Sequence, residues 1–255
     1  MPDGDVLVIG SAQSGVRVAE DLIDKGKKVF ISTSQAGRVP GRYRGKDIVK
    51  WLTLVGSYDI QTVEVRDPQI LLMKQPQISN KGIRGRTLSF QALARNGAVI
   101  IGKTENADAD TIFLQSNAAQ HLKFADEFSK KVKEMINEYI QESQKNVSPP
   151  EEDPDDLPDE SSACVSAITL LNLKGNNITS IVWTTGFTGD FSYLKLPVFK
   201  DDGLLRHKNG ISDIEGLYFL GIPWLRKRKS GIILGIREDV EFIAEKLLKQ
   251  IRITT

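Results

Sequence analysis

The sequence predicts an α/β protein carried on a parallel sheet, and two observations predict it. A strand-length β-branched run, Asp5 to Gly10, is followed by apolar residues at helical spacing, Val16, Ala19, Leu22 and Ile23, and then by a second such run, Lys28 to Ser32. Strand, helix and strand within about 30 residues make a βαβ unit, and strands covered on both faces read as continuous apolar runs. The length of 255 residues accommodates one large domain or two small ones. A hydrophobic fraction of 40%, 26% charged residues and a net charge of +1 describe an ordinary globular chain and give no reason to expect nucleic acid as a partner.

Taken in order, the first strand ends in Gly10-Ser11-Ala12-Gln13-Ser14-Gly15, and Gly26 suits the end of the helix that follows. In a glycine turn of this kind the first glycine allows a tight exit from the strand. The main chain near the middle position approaches a pyrophosphate, and the last glycine lets the helix pack on the sheet. Ala12 stands where a glycine is usual, so its methyl group should displace the phosphate slightly without blocking it. The expectation is a Rossmann-like NAD(P)-binding domain. A carboxylate at the end of the second strand would select NAD. This chain has Ser32-Thr33-Ser34 there, with Arg38, Arg42 and Arg44 following, and guanidinium forks suit a 2′-phosphate. NADPH is therefore favoured, with Ser32, Thr33, Arg38 and Arg42 as the expected ligands beside the glycine turn, and a solvated basic loop as the alternative for each arginine.

Further along, Gln120 to Glu142 places Leu122, Ala125, Phe128, Val132, Met135, Ile136 and Tyr139 on one helical face, consistent with a long packed helix. Residues 146–163 read NVSPPEEDPDDLPDESSA, with four prolines, seven acids and no Lys or Arg. Taking those seven acids from the 33 leaves 26 against 34 basic residues, a basic body of about +8. Such a composition buries too little apolar surface to order itself, so an exposed linker is expected. The sharper alternative is an acidic segment that mimics a phosphate and folds over the body. Residues 1–145 then form the NADPH-binding domain and 164–255 a C-terminal part. In that part Ile178 to Trp183 and Leu217 to Gly221 read as strands and Ile236 to Ile251 as a helix. Its apolar face carries Val240, Ile243, Ala244, Leu247 and Leu248.

The run from Val6 to Leu52 resembles the NADPH-binding segment of flavin-containing monooxygenases and of their bacterial relatives, flavoproteins often labelled as involved in potassium transport. Ile181-Val182-Trp183-Thr184-Thr185-Gly186-Phe187 and Gly216-Leu217-Tyr218-Phe219-Leu220-Gly221 resemble the family's C-terminal signatures. The resemblance implies that the NADPH domain is inserted in an FAD-type domain and that Thr185 and Gly186 mark the return to it. The C-terminal part is then a strand-helix piece of that FAD-type domain. It implies hydride transfer from NADPH to FAD and oxygenation of a small-molecule substrate. Complete members begin with a separate glycine-rich unit that cradles FAD, whereas this chain starts at the second motif. The expectation is thus a trimmed piece, a split product whose partner chain carries the FAD-binding half, or a residual protein that binds NADPH alone. The alternative is a non-catalytic NADP-sensing or regulatory module, for example one associated with ion transport.

No side chain stands out as an acid, base or nucleophile, because the chemistry would be the cofactor's, and no catalytic residue is assigned. Cys164 is the only cysteine, and His121 and His207 lie far apart, so neither a disulfide nor a metal site is expected; both histidines read as surface or partly packed residues. No apolar run reaches transmembrane length and no signal-peptide pattern opens the chain, which makes the cytoplasm the default location. The cluster Arg226-Lys227-Arg228-Lys229 reads as a solvated loop, a support for a cofactor phosphate, or a contact to an acidic membrane surface.

Overall fold

The computed structural model describes residues 1–67, 70–71, 77–79, 85–158, 165–187, 189–201 and 203–254. The chain forms two compact units, each built from discontinuous segments: Met1–Trp51 with Gln75–Phe187, and Leu52–Lys74 with Thr188–Thr255. This division differs from a cut near residue 145, because strands late in the sequence return to the first sheet.

The first unit is an α/β fold of Rossmann-like topology. Strand β1 (Asp5–Ile9) leads into helix α1 (Gln13–Asp24) and β2 (Val29–Ser32), as the sequence predicts. Short strands β3 (Gly37–Arg38), β4 (Arg42–Tyr43) and β5 (Lys46–Asp47) precede helix α2 (Ile48–Leu54). After β6 (Gln77–Ile78) come helix α3 (Phe90–Arg95), β7 (Val99–Ile101), β8 (Thr104–Asp108) and β9 (Thr111–Leu114). The long helix α4 (Ala118–Glu142), β10 (Leu170–Asn172) and β11 (Ile178–Trp183) complete it. Four strands form a parallel sheet in the order β11-β1-β2-β7, and β10-β9-β8 form an antiparallel one.

Alternation along the strands sorts the core into two layers. Val6, Val8, Val29 and Ile31 point to the helical side, where they meet Val16, Ala19 and Leu22 of α1 and Leu122 and Ala125 of α4. Leu7, Ile9 and Phe30 point to the other side and pack on Ile112, Leu114 and Leu171 of the antiparallel sheet. With every residue from Val6 to Ile9 buried, β1 is covered on both faces as its composition predicts.

Between α4 and β10 the expected exposed linker behaves otherwise. Within its described part, Asp156 is buried, and Glu151, Asp153 and Asp155 also meet groups of the first unit. Carboxylates that find cations and free amides offset the ordering entropy that composition alone could not. Residues 159–164, with Asp159, Glu160 and Cys164, lie outside the described residues.

The second unit packs Val198, Leu205, Phe219 and Leu225 into a small core and ends in helix α5 (Ile233–Thr254). Leu217 to Gly221 is not a continuous strand: Tyr218 makes one isolated bridge to Ile211, and Leu220 is exposed. The helix is present where predicted, but its buried stripe is Gly235, Asp239 and Ile243, while Val240, Leu247 and Leu248 are exposed. The stripe follows polar bonding more than apolar pattern. Segment 60–62 runs along 224–228, with Thr62 N–H donating to Arg226 O at 2.9 Å and Arg228 N–H to Ile60 O at 3.0 Å.

That pairing places the basic cluster among carboxylates of its own unit. Lys227 lies 3.1 Å from Asp59 and 2.9 Å from Glu238, and Lys229 reaches the same two carboxylates. Arg226 pairs with the buried Asp239 and lies over the Phe242 ring. The cluster is therefore a bound cationic core of the unit, not a solvated loop. Among the described residues no helix is long and apolar enough to cross a membrane, and no group of three or more His, Cys, Asp or Glu is placed to hold a metal.

Candidate functional site

In the parallel sheet the chain runs outward from β1 through β2 to β7 and then returns to place β11 on the opposite side of β1. Strand order thus reverses between β1 and β11. In open α/β sheets the crevice outside the carboxyl ends of the strands at such a reversal is where ligands bind. The register pairs Ile9 with both Ser32 and Trp183, so the turn after β1 emerges between the ends of its two neighbours.

Three contacts shape that turn. Gly10 has φ +105° and donates its N–H to Ser32 O at 3.1 Å. The Thr184 hydroxyl lies 2.9 Å from both the Ile9 and the Gly10 carbonyl oxygens, and the Thr184 N–H donates to Ile9 O at 2.8 Å. A Cβ on Gly15 would overlap the Gly10 carbonyl and come within 2.8 Å of the Thr184 hydroxyl oxygen, so the first turn of α1 and β1 can approach this closely only through glycine. Helix α1 begins after Ala12, which supplies no side-chain cap, and no acidic residue occupies its first turn. Its N-terminal amides and positive dipole end therefore meet no carboxylate from within the helix.

The remaining side chains of the turn are fixed by polar partners. Ser11 is buried, and its Oγ accepts the Ser34 N–H at 2.8 Å. Gln13 Oε1 accepts the Ser79 N–H at 2.8 Å, which ties the loop after β6 to the start of α1. Ser14 is exposed, as are Thr185 and Gly186 just beyond β11. The structure therefore brings Gly10 to Gly15 beside the strand end that carries Thr185 and Gly186, although 174 positions separate Gly10 from Thr184.

The four residues expected beyond β2 are placed differently from the turn. Ser32 Oγ lies 2.9 Å from Gly102 O and accepts the Thr104 N–H at 3.0 Å, while Thr33 Oγ1 donates to Ile101 O at 2.8 Å. Both hydroxyls are buried and bonded inside the protein. Thr33 also lies 2.9 Å from Nδ1 of His121, a buried residue in the first turn of α4. Burial holds that imidazole below its ordinary value, and the nearby Lys103 acts in the same direction. Arg38 is 1% exposed and pairs with Asp126 at 2.7 Å and with Asp156. Arg42 is exposed, donates to Gly45 O at 2.6 Å and stands 3.9 Å from Glu151.

The chain resembles proteins named oxidoreductases. It is 24% identical over 250 residues to an uncharacterized oxidoreductase CzcO-like of Geobacillus kaustophilus (strain HTA426), a match that spans 97% of this chain and 53% of that protein. It is 35% identical over 71 residues to proteins named uncharacterized oxidoreductase CzcO from Bacillus velezensis and Bacillus subtilis, covering 28% of this chain and 21% of each relative. The chain spans about half the length of the Geobacillus relative. No family model matches the chain. None of these names carries the potassium-transport label.

Sequence reasoning missed Thr184, the residue that joins the two strand ends, and Asp126, which holds Arg38. A signal for each was present. Thr184 directly precedes the predicted Thr185-Gly186 pair, and Asp126 lies four residues from Leu122 on the face of α4 that is turned inward.

Proposed function

We propose that this chain binds NADPH at the turn Gly10–Gly15 and acts as the NADPH-binding part of an oxidoreductase resembling flavin-dependent monooxygenases. The observation that carries the reading is the glycine turn standing at the strand reversal between β1 and β11, with an uncapped helix start behind it. The similarity to proteins named oxidoreductases supports a redox role.

The residues fit the dinucleotide in parts. The amides at the start of α1 would receive the pyrophosphate, and Thr184 would hold the turn in shape by bonding the Gly10 carbonyl. Thr185 and Gly186 would border the site on the β11 side. Ser32 and Thr33 would act indirectly, since their bonds to Gly102 and Ile101 fix the edge of the sheet rather than reach a ligand. No carboxylate follows β2 to accept a ribose 2′-hydroxyl, and Arg42 is the accessible cation for a 2′-phosphate. Bound NADPH supplies a hydride. That hydride would pass to FAD for the oxygenation of a small substrate, as the resemblance to flavin-dependent monooxygenases implies.

Fluorescence titration with NADPH, NADH and FAD tests the reading. NADPH should bind in preference to NADH, and Arg42→Ala should weaken NADPH by about tenfold while leaving NADH within about twofold, because only NADPH carries the phosphate. Equal losses for the two nucleotides would overturn the 2′-phosphate assignment, and absence of affinity for either would overturn the nucleotide site.

A further inference from the structure

The acidic segment is matched group by group to anion-seeking partners on the first unit. Glu151 Oε1 accepts the Gly45 N–H at 2.8 Å beside Arg42, and Asp153 Oδ2 accepts the Thr87 N–H at 2.8 Å. Asp155 pairs with Arg95 at 2.6 Å, and Asp156 pairs with both Arg38 and Lys133. Four cations and two main-chain amides are thereby met by four of the five acids in residues 151–156, Glu151, Asp153, Asp155 and Asp156. Without them, Asp126 alone among the described carboxylates would still pair with any of the four cations.

One atom marks the match as imperfect. Arg38 is buried, yet its Nε has no hydrogen-bond partner among the described residues. Buried donors are ordinarily satisfied. Asp156 and Asp126 engage only the two Nη atoms. A phosphate oxygen pair reaches a guanidinium along its side as well as its end, and its two negative charges answer two cations at once. The two arginines expected from sequence to read a 2′-phosphate, Arg38 and Arg42, are both among the groups the segment holds.

We propose that residues 151–156 are an intramolecular stand-in for a phosphate monoester. Arg38 and Lys133, which share Asp156, form the anion site beneath it, and Arg42, Arg95 and the Gly45 and Thr87 amides hold the rest of the segment over that site. The segment and the ligand compete for this site. The exposed rim pairs, Glu151 with Arg42 and Asp155 with Arg95, open first because salt and water screen them, and the buried Asp156 follows. The phosphate is either the 2′-phosphate of a dinucleotide, in which case the site rests on the nucleotide reading above, or a free phosphate.

Calorimetric titration of the full chain with inorganic phosphate, 5′-AMP and 2′,5′-ADP separates these cases. The rim variant Glu151→Gln/Asp155→Asn, which leaves the buried Asp156 in place, should bind inorganic phosphate and 2′,5′-ADP about tenfold more tightly than the unaltered protein; 5′-AMP, itself a phosphate monoester, gains alike if the site takes any phosphate and stays unchanged if it takes only the 2′-phosphate. Asp156→Asn should add to the gain if it folds, and the rim variant decides the matter if it does not. A larger gain for 2′,5′-ADP than for phosphate identifies the dinucleotide as the source, and equal gains identify free phosphate. Gain for phosphate without binding of either nucleotide leaves the anion site standing and removes the nucleotide reading. A folded rim variant whose affinity for phosphate and 2′,5′-ADP is unchanged, or which binds neither, overturns the proposal.

Discussion

At Gly15 the chain has no room for a methyl group. The added carbon would press on the Gly10 carbonyl, which is held by Thr184 and cannot rotate away without giving up that bond. Gly15→Ala should therefore lower stability by about 1–3 kcal/mol, the range for overpacking a tight contact, measured as a shift in the urea midpoint. Ser14→Ala, at an exposed neighbour, should stay within about 0.5 kcal/mol. The turn was legible in the sequence because its chemistry is local, with strand, glycines and helix in one short run. The fates of Thr33 and Arg38 were not. Thr33 bonds a carbonyl 68 positions away and Arg38 a carboxylate 118 positions away, and no local pattern carries such a pairing. The hydroxyls that looked available to a ligand are spent on the edge of the sheet, and the arginine that looked exposed is enclosed.

Among the elements, periodicity located helix α4 and strand β11 well, since each has a face that a neighbour must cover. It located α5 equally well but misjudged its buried face, because the stripe through Asp239 is set by ionic partners that hydrophobic spacing does not register. The start of α5 is also tied by charge. Glu238 and Asp59 share Lys227 and Lys229, and hydrogen bonds from Lys229 and then Lys227 hold both carboxyls below their ordinary values of 4.5 and 3.8. Burial pushes the Lys229 ammonium down, but the two carboxylates outweigh it and its value is raised. Carboxyls depressed in the folded state contribute stability that is present above their ordinary values and lost as pH falls through the folded ones. The drop in melting temperature of the second unit between about pH 7 and pH 3.5 should thus be smaller in Asp59→Asn/Glu238→Gln than in the unaltered protein. Thermal scans by near-ultraviolet circular dichroism at the two pH values check this, and an unchanged drop would contradict it.

For the molecule as a whole, composition pointed to a boundary at the acidic stretch, and the folded chain shows why composition misleads there. Prolines and acids signalled a break, but the antiparallel and the parallel sheet are completed only by β10 and β11 respectively, which come after that stretch. A chain ending at residue 145 should accordingly lack cooperative unfolding, whereas one ending at residue 187 should unfold in a single transition, followed by circular dichroism in urea. If the shorter chain unfolds just as cooperatively, β11 is not needed for the first unit.

The pairing of β1 with β11 also bears on how the protein is made. As the chain leaves the ribosome, β1 can join β2 early, because only one helix separates them. Its other edge stays open until residues 178–183 emerge, and an apolar strand with unpaired amides is a template for wrong partners. Long-range closure of this kind is slow. The same closure delivers Thr184 to the glycine turn. Sheet and turn are therefore finished in one late act of synthesis, and a nascent chain stalled before β11 has neither.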